Sequence, residues 1–180
     1  MITTRLHTVE ELWTPVLEGG NFELIEGELF EVSPGKRKHG TTQLRLGSRI
    51  LAFVDALGLG IASTEEGFIL RRNPDTVLAP DVAFVSNARL GEEPERWSEV
   101  PPDLAVEVVS PSNRQSEIDR KTRIYLESGV RAVWIAYPER REVVVHEAGQ
   151  TARVVSGAMQ LEGGEVLPGF TVSMQEIFGK

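Results

Sequence analysis

The sequence predicts an α/β fold of the mixed kind, a central mixed β-sheet flanked by helices. Three observations predict it. Leu104 to Ala136 reads as strand, helix, strand, the pattern of a parallel crossover unit. The segments around it are short runs rich in Val, Ile and Phe, residues that suit a pleated, half-buried surface. Thr41 to Leu57 carries apolar residues at helical spacing. A chain of 180 residues is long enough for a proper core, and residues 1–180 are expected to form a single domain.

The elements follow in order. Thr8 and Glu11 have capping-box spacing, so a short helix opens there and runs toward Gly19-Gly20, with Pro15 weakening its interior. Phe22 to Ile25 and Glu28 to Val32 flank Glu26-Gly27 and form a hairpin. A basic loop, Lys36-Arg37-Lys38-His39, precedes the helix of Thr41 to Leu57, which carries apolar residues at Leu44, Ile50, Leu51, Val54 and Leu57 and which Gly58 closes. Gly67 to Leu70, Thr76 to Val85, Leu104 to Val109, Ala132 to Ala136 and Glu142 to His146 are strands. A helix over Glu117 to Ser128, capped by Ser116 and ended by Gly129, links two of them. Ser173 to Phe178 is a final helical turn.

Composition narrows the chemistry. There are no cysteines, which excludes disulfides and thiolate metal sites. A metal would have to be held by carboxylates, carbonyls, water or one of three histidines, and hard oxygen donors favour Mg²⁺, Mn²⁺ or Ca²⁺. No apolar run approaches the ~20 residues of a membrane span, and Met1 to Glu10 lacks the apolar core of a secretory signal, so a cytoplasmic location is expected. The net charge of −8 counts against a dedicated nucleic-acid binder, although basic residues cluster at 36–39, at Arg71-Arg72 and at Arg120-Lys121-Arg123.

Two carboxylates stand in apolar company. Asp81 follows Pro80 within Val77 to Val85, and Glu107 lies in the middle of the most apolar strand. An ionised carboxylate there costs several kcal/mol unless it is paired or bound to metal. At 100° per residue from Ile118, Thr122, Leu126, Tyr125 and Ile124 define a buried helical arc, and Lys121 falls inside it at about 300°. Glu117 falls in the same arc and is a candidate partner for Lys121. Two carboxylates converging at a sheet end can hold a divalent metal that activates water, and a lysine beside them can stabilise charge on a phosphoryl group. A snorkelling lysine in a structural ion pair would use the same residues.

At Pro80-Asp81, Glu107-Val108-Val109 and Lys121 the chain resembles the PD-(D/E)XK nuclease superfamily. The lysine position of that motif is Val109 here, and Lys121 matches the branches that supply the lysine from the next helix. More closely, the chain resembles the Uma family of restriction-endonuclease-like proteins. The landmarks are 22–28 (Phe22-Glu23-Leu24-Ile25-Glu26-Gly27-Glu28), Ser33-Pro34, His39, Pro80-Asp81-Val82, Val106 to Ser112, Lys121, Tyr125, Gly129-Val130 and Trp134. Glu117 stands where Asp is usual, and Tyr137 where an acidic residue usually precedes Pro138.

The resemblance implies a restriction-endonuclease-like core and a Mg²⁺- (or Mn²⁺-) dependent endonuclease site. In that reading Asp81 and Glu107 bind metal, Lys121 assists catalysis, and Glu23 and His39 are additional candidates. It also implies a nucleic-acid partner, DNA ahead of RNA, and two sites for two strands, so a homodimer is expected. The alternative is a non-catalytic binding or regulatory protein that keeps the fold.

Overall fold

The structure is a computed structural model describing residues 5–14, 22–32, 34–92 and 94–179. Its main sheet has six strands in the order β10-β9-β8-β7-β6-β3. They are β3 (Gly60–Ser63), β6 (Val82–Ser86), β7 (Leu104–Val108), β8 (Ala132–Tyr137), β9 (Glu142–Glu147) and β10 (Arg153–Ser156). Only β7 and β8 pair in parallel, joined by helix α3 (Gln115–Glu127); the other pairs are antiparallel. The expected crossover unit and mixed sheet are therefore present, with helices on both faces.

Helix α2 (Arg37–Leu57) covers one face. Its Leu46, Ile50 and Val54 pack with Val82, Phe84, Val106 and Trp134, and with the β11 (Gln160–Glu162), β12 (Thr171–Ser173) and α4 (Met174–Phe178) segment. Helix α3 covers the other face, where Ile118, Ile124 and Tyr125 meet Ala105, Val133 and Ile135. A second, antiparallel sheet, ordered β2-β1-β5-β4, abuts this side through Ile25 and Leu78. It comprises β1 (Phe22–Ile25), β2 (Glu28–Glu31), β4 (Phe68–Arg71) and β5 (Thr76–Leu78). The short α1 (Val9–Leu12) packs Val9 and Leu12 against its far side, with Leu24, Ile69 and Val77. No described helix is long and apolar enough to cross a membrane.

Several boundaries differ from the sequence reading for identifiable reasons. Thr76 to Val85 is two strands in two different sheets, broken at Ala79-Pro80-Asp81. Proline cannot donate to a ladder, and both halves are buried, so the apolar run hides the switch. The basic segment is not a loop: α2 begins at Arg37, with Lys36 as N-cap, so His39 is helical. Of the apolar residues that mark this helix, Leu44, Leu51 and Leu57 are exposed, whereas Ile50 and Val54 are buried. Gly58 does close α2, at φ 60, a left-handed conformation that glycine adopts without penalty.

Helix α3 is capped at Arg114 rather than Ser116, and the Glu117 carboxylate accepts from the Arg114 backbone N–H at 3.1 Å. Glu117 is thus exposed cap chemistry and not the partner of Lys121. Thr8 is the N-cap of α1 but accepts no side-chain cap bond. The stretch from Pro15 to Gly20, expected to continue that helix, lies outside the described residues.

Candidate active site

Register alone brings the two singled-out carboxylates together. Val82 pairs with Val106 in the antiparallel β6–β7 ladder, so Asp81, one residue before, stands opposite Glu107, one residue after. Side chains alternate along a strand. Glu107 therefore shares the face of Ala105, toward α3, and Asp81 shares the face of Ala83. The Asp81 carboxylate is fixed by the strand next door: its Oδ2 accepts the Val108 N–H at 2.6 Å.

Lys121 reaches the same space from α3. Its Nζ donates to Glu23 Oε1 at 2.6 Å and to both Glu107 oxygens at 3.3 Å. Glu23 gets there because β1 alternates: Leu24 faces the α1 side, whereas Glu23 and Ile25 face α3. Tyr125, one turn beyond Lys121, donates its hydroxyl to Glu107 Oε1 at 2.7 Å. From the opposite face, His39 Nε2 lies 3.2 Å from Asp81 Oδ1. Gln43, one turn along α2, donates to the Asp81 carbonyl and to Glu65 Oε1, both at 3.1 Å.

The cluster is crowded with negative charge. Three carboxylates, Glu23, Asp81 and Glu107, face one lysine and one histidine. Burial pushes the Glu107 carboxyl up to about 7, and Glu23 and Asp81 add to the rise against the pull of Lys121 and Tyr125. Burial would lower the Lys121 ammonium, but Glu107 and Glu23 outweigh it and hold it above the ordinary lysine value. Burial, then Glu107, raises the Tyr125 phenol, so it stays a proton donor to the carboxylate. The hydrogen bond with Asp81 raises His39 in spite of its burial. The Glu107 carboxyl is therefore more readily protonated than an ordinary carboxylate, and a further cation beside it would favour its charged form.

Residues 9–175 match the family model of Uma2, described as "Putative restriction endonuclease". The chain belongs to the Uma2 family. A crystal structure described as "a putative nuclease belonging to DUF820 from Anabaena variabilis" superposes on this Uma2 chain with a TM-score of 0.78. It is 20% identical, over 87% of this chain and 89% of that one, a likeness that establishes the fold. No curated protein matches the chain.

The structure gathers Asp81, Glu107, Lys121, Glu23 and His39 of this Uma2 protein around one end of the β6–β7 pair. The sequence marks Tyr125 as a residue of the buried helical arc and as a landmark of the resemblance but gives it no role in the site, and it leaves out Gln43 and Glu65. Tyr125 carries one usable signal: it lies four residues after Lys121, on the same helical face. Gln43 and Glu65 carry none. Phe68 and Trp97, aromatics of a kind that could stack on bases, are spent on packing: Phe68 is fully buried, and Trp97 lies against Trp13 with ring centroids 5.8 Å apart.

The donor set fits a hard divalent cation in kind. Asp81 and Glu107 offer carboxylate oxygens from adjacent strands, and the surplus negative charge is what such an ion would neutralise. Among the described residues no group of three or more His, Asp or Glu side chains is gathered closely enough to ligate a metal by itself. Water or a substrate oxygen would have to complete the shell, as is usual for Mg²⁺.

Proposed function

We propose that this chain is a metal-dependent endonuclease that hydrolyses phosphodiester bonds of nucleic acid, DNA ahead of RNA. One observation carries the reading: Asp81 and Glu107 face each other across two strands, with the Lys121 ammonium on Glu107 and too few cations to balance the carboxylates. A structural ion pair would be balanced. Asp81 and Glu107 would hold Mg²⁺ or Mn²⁺, which supplies Lewis-acid polarisation of a phosphodiester and a bound water of lowered pKa.

The chain's own residues supply the rest. The Val108 N–H and His39 fix the Asp81 carboxylate from two sides, so its orientation does not depend on substrate. Tyr125 fixes Glu107 in the same way. Lys121, oriented by Glu23, presents a charged N–H donor beside these carboxylates, suited to a phosphate oxygen or to the attacking water. His39, protonated more readily than a free histidine, offers a second donor next to Asp81.

A second reading is favoured by one contact. The shortest partner of Lys121 is Glu23 rather than Glu107, which describes a lysine held in a closed ion pair. In that reading the protein keeps the fold and binds without cutting. Incubating the purified chain with plasmid, single-stranded DNA and RNA in Mg²⁺ or Mn²⁺ separates the two. A nuclease cleaves one of them, stops in EDTA, and loses about 10³-fold or more in Asp81→Ala and Lys121→Ala. Cleavage that survives Asp81→Ala would come from a contaminant and would sink the assignment.

A further inference from the structure

Helix α2 exposes an apolar stripe that has no partner among the described residues. Leu44 is 71% exposed and Leu51 is 44% exposed. At 100° per residue they lie within about 20° of each other, and Arg37, Ser48 and Asp55 lie within about 60° of the same line. The stripe is on the sheet-edge side of the helix. Gly47, the next residue round toward the core, is the point where α2 touches the sheet: a Cβ there would meet Val82 Cγ2 at 3.3 Å and Thr64 Cγ2 at 3.8 Å. Thr64 directly follows β3, the outermost strand of the six. Among the described residues no backbone group bonds to the outer edge of β3, and its Ile61 is 53% exposed.

The order of charges along this stripe is self-complementary. It runs from basic, at Lys36-Arg37, through Leu44 and Leu51, to acidic, at Asp55. Neither Arg37 nor Asp55 has an ion-pair partner among the described residues. We propose that α2 and the adjoining β3 edge form a two-fold interface with a second copy of this chain, the two α2 helices packing antiparallel with Leu44 of each on Leu51 of the other. That register brings Ser48 close to the two-fold axis. It sets Arg37 within one helical turn of Asp55 of the second copy, twice, which is within reach of an arginine side chain. A two-fold interface buries the same patch on both copies and needs about 800 Å² on each. The four-residue β3 edge is too small alone, so the proposed interface needs the helix stripe as well. The two copies of the site, each marked by His39, would then lie about 26 Å apart along the helix axis. The inference does not depend on nuclease activity.

Sedimentation of the full chain from about 1 to about 100 µM, which spans a micromolar dimerisation constant, tests it. The expected result is a dimer that the exposed-site variant Leu44→Asp/Leu51→Asp converts to monomer, with unchanged helical circular dichroism. Arg37→Glu should weaken the dimer and Arg37→Glu/Asp55→Arg should restore it. The chain has no cysteine of its own, which allows a second measurement independent of affinity. Leu44→Cys/Leu51→Cys should cross-link the dimer on oxidation, whereas Leu44→Cys alone should not, its two sulfurs being about 10 Å apart along the axis. A chain that stays monomeric throughout, or a dimer indifferent to the leucine and charge variants, would overturn the interface.

Discussion

Strand β7 carries an acid at each end, Asp103 buried and Glu107 partly buried, and the two are treated in opposite ways. Asp103, just before its N-terminal end, is 1% exposed and fully answered. Its Oδ2 accepts the Ser86 N–H at 2.8 Å, and Oδ1 faces Arg89 Nε at 3.3 Å and Arg131 Nη1 at 3.4 Å. Two arginines and an amide serve one carboxylate. At the other end Glu107 shares one lysine with Glu23 and lies opposite Asp81. The first arrangement ties β6, β7 and the start of β8 together. The second leaves negative charge unanswered in a partly buried place, which stability alone does not favour.

The largest expected effect lies at the balanced end. Asp103→Ala removes the carboxylate that two arginines and an N–H share and should destabilise the fold by about 3 kcal/mol, read as a shift in urea midpoint at unchanged slope. If the loss is no larger than that of an ordinary surface change, Asp103 is not the clamp described here.

The crowded end should show the reverse behaviour with pH. The Glu107 carboxyl is raised to about 7, above its unfolded value, so the folded chain holds a proton that the unfolded chain has released. Stability should therefore be greatest near pH 5 and fall as pH rises toward 7, by something on the order of 2 kcal/mol. Glu107→Gln should flatten that slope and make the metal-free protein more stable at pH 8. A slope undiminished in Glu107→Gln, beyond the part that the raised His39 contributes, would place the titration elsewhere.

Tyr125→Phe should have the smallest effect. It removes one hydrogen bond to a carboxylate, worth about 1 kcal/mol in a thermal melt, and should reduce cleavage only several-fold. An effect as large as that of Asp81→Ala would mean that the phenol itself takes part in the chemistry.

The two ends also differ in how far the sequence discloses them. Glu107 is conspicuous because it interrupts Leu104 to Val109, and Lys121 because helical spacing carries it to the apolar arc of α3. Asp81 is conspicuous as a carboxylate after Pro80 within the apolar run Val77 to Val85. Glu23 was ambiguous for a physical reason: Leu24 and Ile25 are both apolar and both buried, because β1 is covered on its two faces. Strand parity then cannot say which way Glu23 points. His39 was obscured by three preceding cations that read as a loop, yet it lies seven residues before Leu46, on the inner face of α2. Asp103 gave no signal, since Pro101-Pro102-Asp103 reads as an ordinary turn and its arginines come from distant segments.

Titration of Mn²⁺ and Mg²⁺ by calorimetry into the wild-type chain, Asp81→Ala and Asp103→Asn tests the contrast between the two ends most directly. A metal site at the crowded end predicts binding to wild type and to Asp103→Asn, none to Asp81→Ala, and metal-dependent stabilisation at pH 8. Absence of heat and of stabilisation at millimolar metal, or equal binding by Asp81→Ala, would contradict it.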